Sequence, residues 1–220
     1  MSNKILIGIY AGLIALIVWI TLLFQDKPSS LLTPAEDRKV IDLVSTNDTK
    51  AILPVVMKFS KYQAILDIEL LQRRYARATD LLGLQDSASI AEGTAIYEDI
   101  FATDLQASFY GEGVVNVRKS GIEGWLELVT TSLGPLGPTQ HLIGTQLVDF
   151  EKLDMDEQGN ITDGKAVLVS YLQSWHTLPD AKVWLFLGTY HSKVRFSEGK
   201  WKIWQMDLER TVDETRPMHQ

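Results

Sequence analysis

The chain contains no cysteine, and this absence excludes several kinds of chemistry. Without cysteine there can be no disulfide, thiol nucleophile, thiolate zinc site or lipidated cysteine. A basic surface is also lacking, because 28 Asp and Glu residues against 21 Lys and Arg residues give a formal net charge of −7. Binding to phosphate backbones needs clustered positive charge, so we expect no nucleic-acid partner.

Familiar metal and nucleophile motifs are missing as well. The four histidines show neither H-x-H nor H-E-x-x-H spacing, so we expect no metal site and no cofactor. No G-x-S-x-G elbow supports a serine nucleophile. Residues 154–165, DMDEQGNITDGK, begin like a calcium loop, but Lys165 stands where that loop requires a glutamate. We interpret this segment as a hairpin turn.

One long uncharged run is present, at residues 5–24, ILIGIYAGLIALIVWITLLF. A helix of this length matches the hydrocarbon core of a bilayer, which is about 30 Å thick. Lys4 precedes the run, whereas Asp26 and Lys27 after it cancel, so the positive-inside rule places the N-terminus in the cytoplasm and the main domain outside, in the periplasm if the source is bacterial. A cleaved signal peptide is the alternative, but the run is long and lacks a clear cleavage site. We predict a retained single-pass anchor over residues 1–25.

Residues 26–60 read as a linker with one short helix. Thr33, Pro34 and Glu36 form a good helix start, with a capping box around a proline at the first helical position. Pro54 interrupts the following apolar stretch. Proline removes a backbone donor and disfavours a helix interior, so we predict an irregular connection over residues 47–60.

A globular α+β domain is predicted for residues 61–212. Three- and four-residue spacing of apolar side chains predicts a helix from residue 61 to Gly83. A helix over residues 87–102, a short strand over residues 105–111 and a helix over residues 121–134 follow. Four long segments rich in β-branched and aromatic residues then predict an antiparallel meander. Helices packed on one face of a curved antiparallel sheet would form a cone with a pocket inside. Residues 213–220, which include His219, are predicted to form a polar tail after this domain.

Strand alternation separates the remaining histidines. His141 shares a face with Ile143 and should point inward, and His176 shares a face with Leu172 near the end of its strand. His191 shares a face with charged residues and should point outward or into a subunit contact. Each histidine could equally be a hydrogen-bonded structural residue. Asp80 lies at the edge of the first apolar stripe, where it could pair with surface arginines or hold an imidazole in one tautomer over the pocket.

Three segments together resemble the scytalone dehydratase branch of the SnoaL-like, nuclear transport factor 2-like superfamily. These are YARATD at the end of the first long helix, PTQHLIG, and SWHT about thirty residues later. The resemblance covers about residues 61–210. It implies a cone of curved antiparallel sheet wrapped by three helices, commonly dimeric through the sheet. It also implies that Asp80, His141 and His176 surround the substrate.

The same resemblance implies roles for these side chains. His141 and His176 would share the acid and base steps of a dehydration, with Asp80 orienting His141. An apolar pocket would be lined by Tyr75, Trp125, Trp175 and Tyr190. The sequence departs from the dehydratase pattern at Thr79, where that enzyme has tyrosine, and at Val194, where it has a pocket asparagine.

Two function classes remain open. One is a cofactor-independent dehydratase or isomerase acting on a small apolar ligand that carries a hydroxyl or carbonyl group. The other is a non-catalytic module of the same fold that binds a ligand or dimerises, because a fold does not specify an activity. A membrane partner through residues 5–24 and a homodimer through the sheet are expected in either case.

Overall fold

A computed structural model describes residues 49–218 of the chain. The predicted anchor at residues 1–25, the helix start at Thr33 and the tail residue His219 lie outside the described residues. Among the described residues, no helix combines the length and the apolar character needed to cross a bilayer.

Within residues 49–218, three helices and six strands follow one another. The helices are α1 (Thr49–Gly83), α2 (Ser87–Ile100) and α3 (Gly121–Leu133). The strands are β1 (Phe101–Tyr110), β2 (Val117–Ser120), β3 (Thr139–Met155), β4 (Ile161–Leu178), β5 (Lys182–Ser197) and β6 (Lys200–Pro217). The α+β prediction is confirmed, as is the end of the first long helix at Gly83.

The prediction of an irregular connection over residues 47–60 is wrong, because α1 begins at Thr49 and includes Pro54. Pro54 is close to the start of the helix, so it forfeits only the backbone hydrogen bond to the carbonyl of Lys50. The cost of that one bond is offset by packing further along α1, where Ile68, Leu71 and Leu82 are buried in the core.

The sheet is mixed, and the prediction of a purely antiparallel sheet is therefore wrong. Strand order is β2-β1-β6-β5-β4-β3. The four long strands form the predicted antiparallel meander, but β1 pairs with β6 in parallel. No tight turn joins these two strands, which are distant in sequence, so local sequence signals carry no information about their direction.

Bulges bend the sheet around the helices. β3 changes register against β4 between Gly144 and Gln146, where Thr145 has a φ of 25°. A second shift lies between Phe150 and Lys152. An extra residue at each bulge increases the local twist and bends the strand. The result is a curved sheet whose concave face packs against the buried side of α1.

Both ends of the meander differ in detail from the predictions. The hairpin turn between β3 and β4 is confirmed, with Asp156 Oδ1 accepting the backbone N–H groups of Gln158 and Asn160. The predicted tail is wrong for residues 213–217, because these residues extend β6 and pair with the start of β5. Pairing with β5 provides backbone partners that composition alone does not reveal.

Candidate active site

Asp80 lies in the last turn of α1, beside the beginning of β3. Its Oδ1 accepts hydrogen bonds from Thr139 Oγ1 at 3.0 Å and from His141 Nδ1 at 2.6 Å, and its Oδ2 accepts the backbone N–H of His141 at 3.2 Å. The carboxylate is therefore fixed by three donors from one strand. It is no freely solvated surface group, since only 17% of its side chain is exposed.

His141 points to the concave face of the sheet, as strand alternation predicts. Its side chain is 7% exposed. An ionised carboxylate only accepts hydrogen bonds, so the proton in the bond to Asp80 must lie on Nδ1 of the imidazole. This fixes the tautomer and leaves Nε2 able to accept a proton from another molecule.

His176 lies next to His141 on the same face. It pairs with Thr139 in the β3–β4 register, and the two imidazole rings meet edge to face with 5.3 Å between their centroids. His176 Nε2 is 3.0 Å from Ser174 Oγ. Its Nδ1 is buried and has no hydrogen-bond partner among the residues that the structure describes. A buried imidazole nitrogen without a partner is costly unless another molecule satisfies it.

Burial keeps His176 uncharged. Desolvation, reinforced by the neighbouring His141, lowers the pKa of His176 from 6.5 to about 4, although the Asp80 carboxylate opposes this effect. Neutral imidazole can donate one hydrogen bond and accept another. At neutral pH, His176 is therefore suited to hydrogen bonding with a ligand, while His141 has the carboxylate that stabilises a positive ring.

Trp184 and Asp213 complete the surroundings of His176, and neither was predicted from the sequence. The indole ring of Trp184 stacks on His176 with 4.6 Å between centroids and 30° between planes. Trp184 Nε1 donates to Asp213 Oδ2 at 2.9 Å. Phe186 lies edge-on to Trp184, and Phe109 lies beside Phe186. Residues 184, 186 and 190 alternate along β5, so the sequence pattern could have placed Trp184 and Phe186 on the same inner face as Tyr190.

Three of the four predicted pocket aromatics lie in the buried core. Tyr75, Trp125 and Tyr190 are each at most 3% exposed. Tyr75 packs edge to face with Tyr190, and Trp125 Nε1 donates to the Tyr75 hydroxyl at 3.3 Å. Burial raises the pKa of both tyrosine hydroxyls, so they remain neutral. These aromatics form a packed wall around the interior.

Trp175, the fourth predicted pocket aromatic, lies elsewhere, and this part of the prediction is wrong. It precedes His176 in β4, so it occupies the opposite face of the sheet, where the Arg216 guanidinium lies 6.0 Å from its ring centroid. His191 lies on that outer face as predicted, with its Nε2 3.1 Å from Glu209 Oε2.

Thr79 occupies a position where the sequence departs from the dehydratase pattern. Its hydroxyl donates to the Tyr75 carbonyl at 2.9 Å and lies 2.7 Å from the Tyr97 hydroxyl. A threonine hydroxyl has only one proton, so Tyr97 must be the donor in the second bond. Thr79 therefore ties α2 to α1 directly beneath Asp80.

Two surface clefts lie away from these residues. One, of about 560 Å³, is lined by residues of β1, β2 and β6, including Arg118 and Asp207. The other, of about 300 Å³, lies beside Arg74, Asp99 and Lys200. Neither cleft includes Asp80, His141 or His176. Within residues 49–218, no cluster of three or more His, Cys, Asp or Glu side chains is arranged to hold a metal ion.

Comparison with protein families gives a match to the SnoaL-like domain over residues 61–207. The chain belongs to the SnoaL-like domain family. Its fold is the nuclear transport factor 2-like fold, with three helices and a curved mixed sheet. No functionally curated protein matches this SnoaL-like chain significantly.

Solved structures of the same fold include proteins from several bacteria. A proposed scytalone dehydratase from Novosphingobium aromaticivorans is 18% identical, with a TM-score of 0.53, covering 74% of this chain and 93% of that one. A hexachlorocyclohexane dehydrochlorinase, LinA-type3 from Novosphingobium barchaimii, is 15% identical, with a TM-score of 0.52 and coverages of 73% and 92%. The Kfla4162 protein from Kribbella flavida is 18% identical, with a TM-score of 0.54 and coverages of 70% and 95%. At these identities the similarity establishes the fold alone.

Proposed function

We propose that this SnoaL-like domain is a cofactor-independent enzyme, either a lyase of the dehydratase type or an isomerase. Its ligand is a small, largely apolar molecule that carries a hydroxyl or carbonyl group. The observation that carries the proposal is the 2.6 Å hydrogen bond from His141 Nδ1 to Asp80, with His176 directly beside it. Removing a proton from carbon needs a correctly oriented base and a hydrogen-bond donor for the neighbouring oxygen. His141, oriented by the Asp80 carboxylate, could supply the first, and the neutral His176 could supply the second.

For a ligand that carries a hydroxyl group β to a carbonyl group, His141 moves the proton in this proposal. Nε2 of His141 takes the proton from the carbon next to the carbonyl group, and the electrons of that C–H bond form the new C=C bond. The C–O bond to the hydroxyl group breaks, and the departing oxygen takes the same proton from His141 and leaves as water. Asp80 stabilises the positively charged ring during the interval between the two transfers.

His176 has a different role, because it is neutral near pH 7. A neutral imidazole is a weak acid, but it can donate a hydrogen bond to an oxygen on which negative charge develops. Ser174 Oγ holds one ring nitrogen. Nδ1, which is buried and has no partner among the described residues, is the nitrogen that would bond to the ligand. We assign His176 to binding and polarising the carbonyl or hydroxyl oxygen.

The names of two structural neighbours agree with an elimination reaction. A dehydratase removes water and a dehydrochlorinase removes HCl, and both reactions take a proton from carbon while a neighbouring group departs. The apolar part of the ligand would contact Trp184, Phe186 and Phe109, which lie on the side of His176 away from His141. An apolar surrounding strengthens each polar contact to the ligand.

A non-catalytic ligand-binding or dimerisation module is the second candidate. It is favoured by the mutual packing of Tyr75, Tyr97 and Tyr190 within the buried core. The larger of the two surface clefts also lies away from the histidines. In that case Asp80 and His141 would act as a structural clamp between α1 and β3.

Turnover of a model substrate distinguishes the two candidates. A bicyclic β-hydroxytetralone is a suitable probe, because loss of water converts it into a fluorescent naphthol. We expect the full chain to accelerate naphthol formation, and Asp80→Asn, His141→Gln and His176→Gln each to slow it. Solvent deuterium entering the carbon next to the carbonyl would show proton abstraction even without elimination. If neither water loss nor exchange exceeds the buffer rate, the binding module becomes the better account.

We also propose membrane attachment through residues 5–24 and a homodimer through the outer face of the sheet. That face exposes Leu142, Leu147 and Tyr171, and large exposed apolar patches often mark interaction sites. Carbonate extraction of cell membranes tests the attachment. Sedimentation of the wild type against Leu147→Lys tests the dimer, and an unchanged monomer in both would reject it.

A further inference from the structure

We propose that Trp184 and Asp213 form a clamp that positions the imidazole of His176. In this clamp the Asp213 carboxylate anchors the indole ring, and the indole face holds the imidazole against Ser174 and beside His141. Both are positioning residues, because neither need touch the ligand to act. The importance of the clamp for catalysis rests on the proposed function, but the positioning itself can be measured without any substrate.

Strand register brings the clamp together. Trp184 pairs with His176 across β4 and β5, so both rings project from the concave face at the same level. The planes lie 30° apart, with centroids separated by 4.6 Å, which is a stacked arrangement. Trp184 covers one face of the imidazole, while His141 meets the ring edge to face. His176 can therefore rotate little without losing contact with both neighbours.

Asp213 determines where the indole ring lies. Its Oδ2 accepts the Trp184 Nε1 proton at 2.9 Å, and its Oδ1 accepts a hydrogen bond from Arg210 Nε. The hydrogen bond from Trp184 lowers the pKa of Asp213 most, and the hydrogen bond and positive charge of Arg210 lower it further against the opposing effect of burial. The carboxylate is therefore charged at neutral pH. A charged acceptor makes the stronger kind of hydrogen bond.

The clamp extends to the loop between β1 and β2. Arg210 Nη1 donates to the Glu112 carbonyl at 2.7 Å. Gly111 has a φ of 144°, and a Cβ at this position would lie 2.8 Å from Arg210 Cβ, so only glycine allows the loop to pack so closely. A continuous chain of contacts therefore runs from this loop through Arg210, Asp213 and Trp184 to His176.

Among residues 49–218, few charged groups surround His176. Asp80 on α1 and His141 on β3 face it on one side, and Ser174 on β4 contributes an uncharged hydroxyl. Asp213 and Arg210 on β6 lie behind Trp184 and neutralise each other. Since water exclusion is the main cause of the low pKa of His176, removing the indole should raise that pKa.

NMR titration of the full chain, labelled with ¹⁵N at its histidines, tests the clamp. The chain has only four histidines, and His176→Gln identifies the relevant signal. In Trp184→Ala we expect the pKa of His176 to rise from about 4 toward 6.5. Trp184→Phe and Asp213→Ala each remove the hydrogen bond that the indole N–H donates to Asp213, but both keep an aromatic ring at position 184. Each should therefore raise the pKa of His176 by less than Trp184→Ala does. Asp213→Asn keeps an acceptor and should restore nearly the wild-type value.

A double-mutant cycle makes the test specific. Trp184→Phe and Asp213→Ala remove the same hydrogen bond, so combining them should raise the pKa no further than the larger single change. Trp204→Ala is the matched control, since that indole contacts Lys193 away from the site and should leave His176 unchanged. The His191 signal, on the outer face, reports that each variant is folded.

Two results would overturn the clamp. One is an unchanged His176 pKa in folded Asp213→Ala and Trp184→Phe; the other is equal shifts in Trp204→Ala. The outcome is separate from the proposed function. If the pKa shifts as expected while His176→Gln retains full turnover, the clamp stands and the assigned role of His176 falls. If His176→Gln abolishes turnover while the clamp variants leave the pKa unchanged, the function stands without the clamp.

Discussion

One carboxylate, that of Asp80, receives both the side-chain Nδ1–H and the backbone N–H of His141. The two bonds end on different oxygens, so the carboxylate fixes the position of the strand and the tautomer of the ring together. Thr139 adds a third donor from the same strand. This arrangement connects the end of α1 to the start of β3. Asp80 therefore acts on His141 in two ways, through its negative charge and through the hydrogen bonds that it accepts.

Asp80→Asn should separate these two contributions. The amide oxygen can still accept a hydrogen bond, but it carries no charge and can leave His141 in the wrong tautomer. We expect turnover of the tetralone probe to fall by about 10²- to 10⁴-fold. The melting temperature should fall as well, because the amide NH₂ group must face one of the donors whose hydrogen bonds Asp80 now accepts. Asp67→Asn is the control, because Asp67 lies on the exposed side of α1, where it accepts a hydrogen bond from Gln63, and this variant should retain full activity. Equal activity in both variants would contradict the assigned role of Asp80.

Burial of His176 should make the stability of the domain depend on pH. The unfolded chain binds a proton at this side chain below about pH 6.5, whereas the folded chain does so only near its pKa of about 4. Burial of neutral His176 therefore costs no stability through proton binding above pH 6.5. As the pH falls toward 4, the unfolded chain gains a proton that the folded chain does not, and the free energy of unfolding decreases. The shift corresponds to about 3 kcal/mol in the free energy of unfolding.

Urea unfolding at several pH values measures this contribution. Other carboxyl groups also titrate in the same range, so the quantity to follow is the difference between wild type and His176→Gln. We expect the advantage of the wild type to shrink between pH 7 and pH 4. A difference that stays constant over this range would show that His176 is not buried in its neutral form.

Local patterns in the sequence were sufficient for much of the fold. Apolar spacing located α1 from residue 61 onward, and alternation assigned inward positions to His141 and His176. The parallel pairing of β1 with β6 could not be predicted in this way, since it depends on how distant segments meet. Pro54 was misjudged for a related reason, because the cost of one lost hydrogen bond was outweighed by tertiary packing.

The candidate site shows the same division. Resemblance to the SnoaL-like family placed Asp80, His141 and His176 together, and the structure brings them into contact. Trp184 and Asp213 were missed because their partnership with His176 arises from the registers of β4 with β5 and of β5 with β6. Trp175 was assigned to the pocket on the family resemblance, although it directly precedes His176 in the strand, and this alternation already indicated the opposite face.

Thr79→Val should destabilise the junction of α1 and α2. Valine has nearly the same shape as threonine but cannot accept the Tyr97 hydroxyl proton, which would then be buried without a partner. We expect a loss of about 1–3 kcal/mol in the free energy of unfolding. Adding Tyr97→Phe removes the stranded donor, so the double variant should be more stable than Thr79→Val alone. If Tyr97→Phe instead lowers the free energy of unfolding as much in the Thr79→Val background as it does alone, the hydroxyls of Thr79 and Tyr97 are not hydrogen-bonded.

Two glycines on neighbouring strands should respond in opposite ways to substitution by alanine. A Cβ at position 164 would lie 2.3 Å from Trp201 Cη2, whereas a Cβ at position 144 would meet no atom of the described residues within 4 Å. Gly164→Ala must therefore displace a buried indole, and we expect it to cost about 1–3 kcal/mol. Gly144→Ala should leave the melting temperature nearly unchanged and serves as the matched control. Equal effects in the two variants would mean that Trp201 can move aside freely and is not packed tightly against position 164.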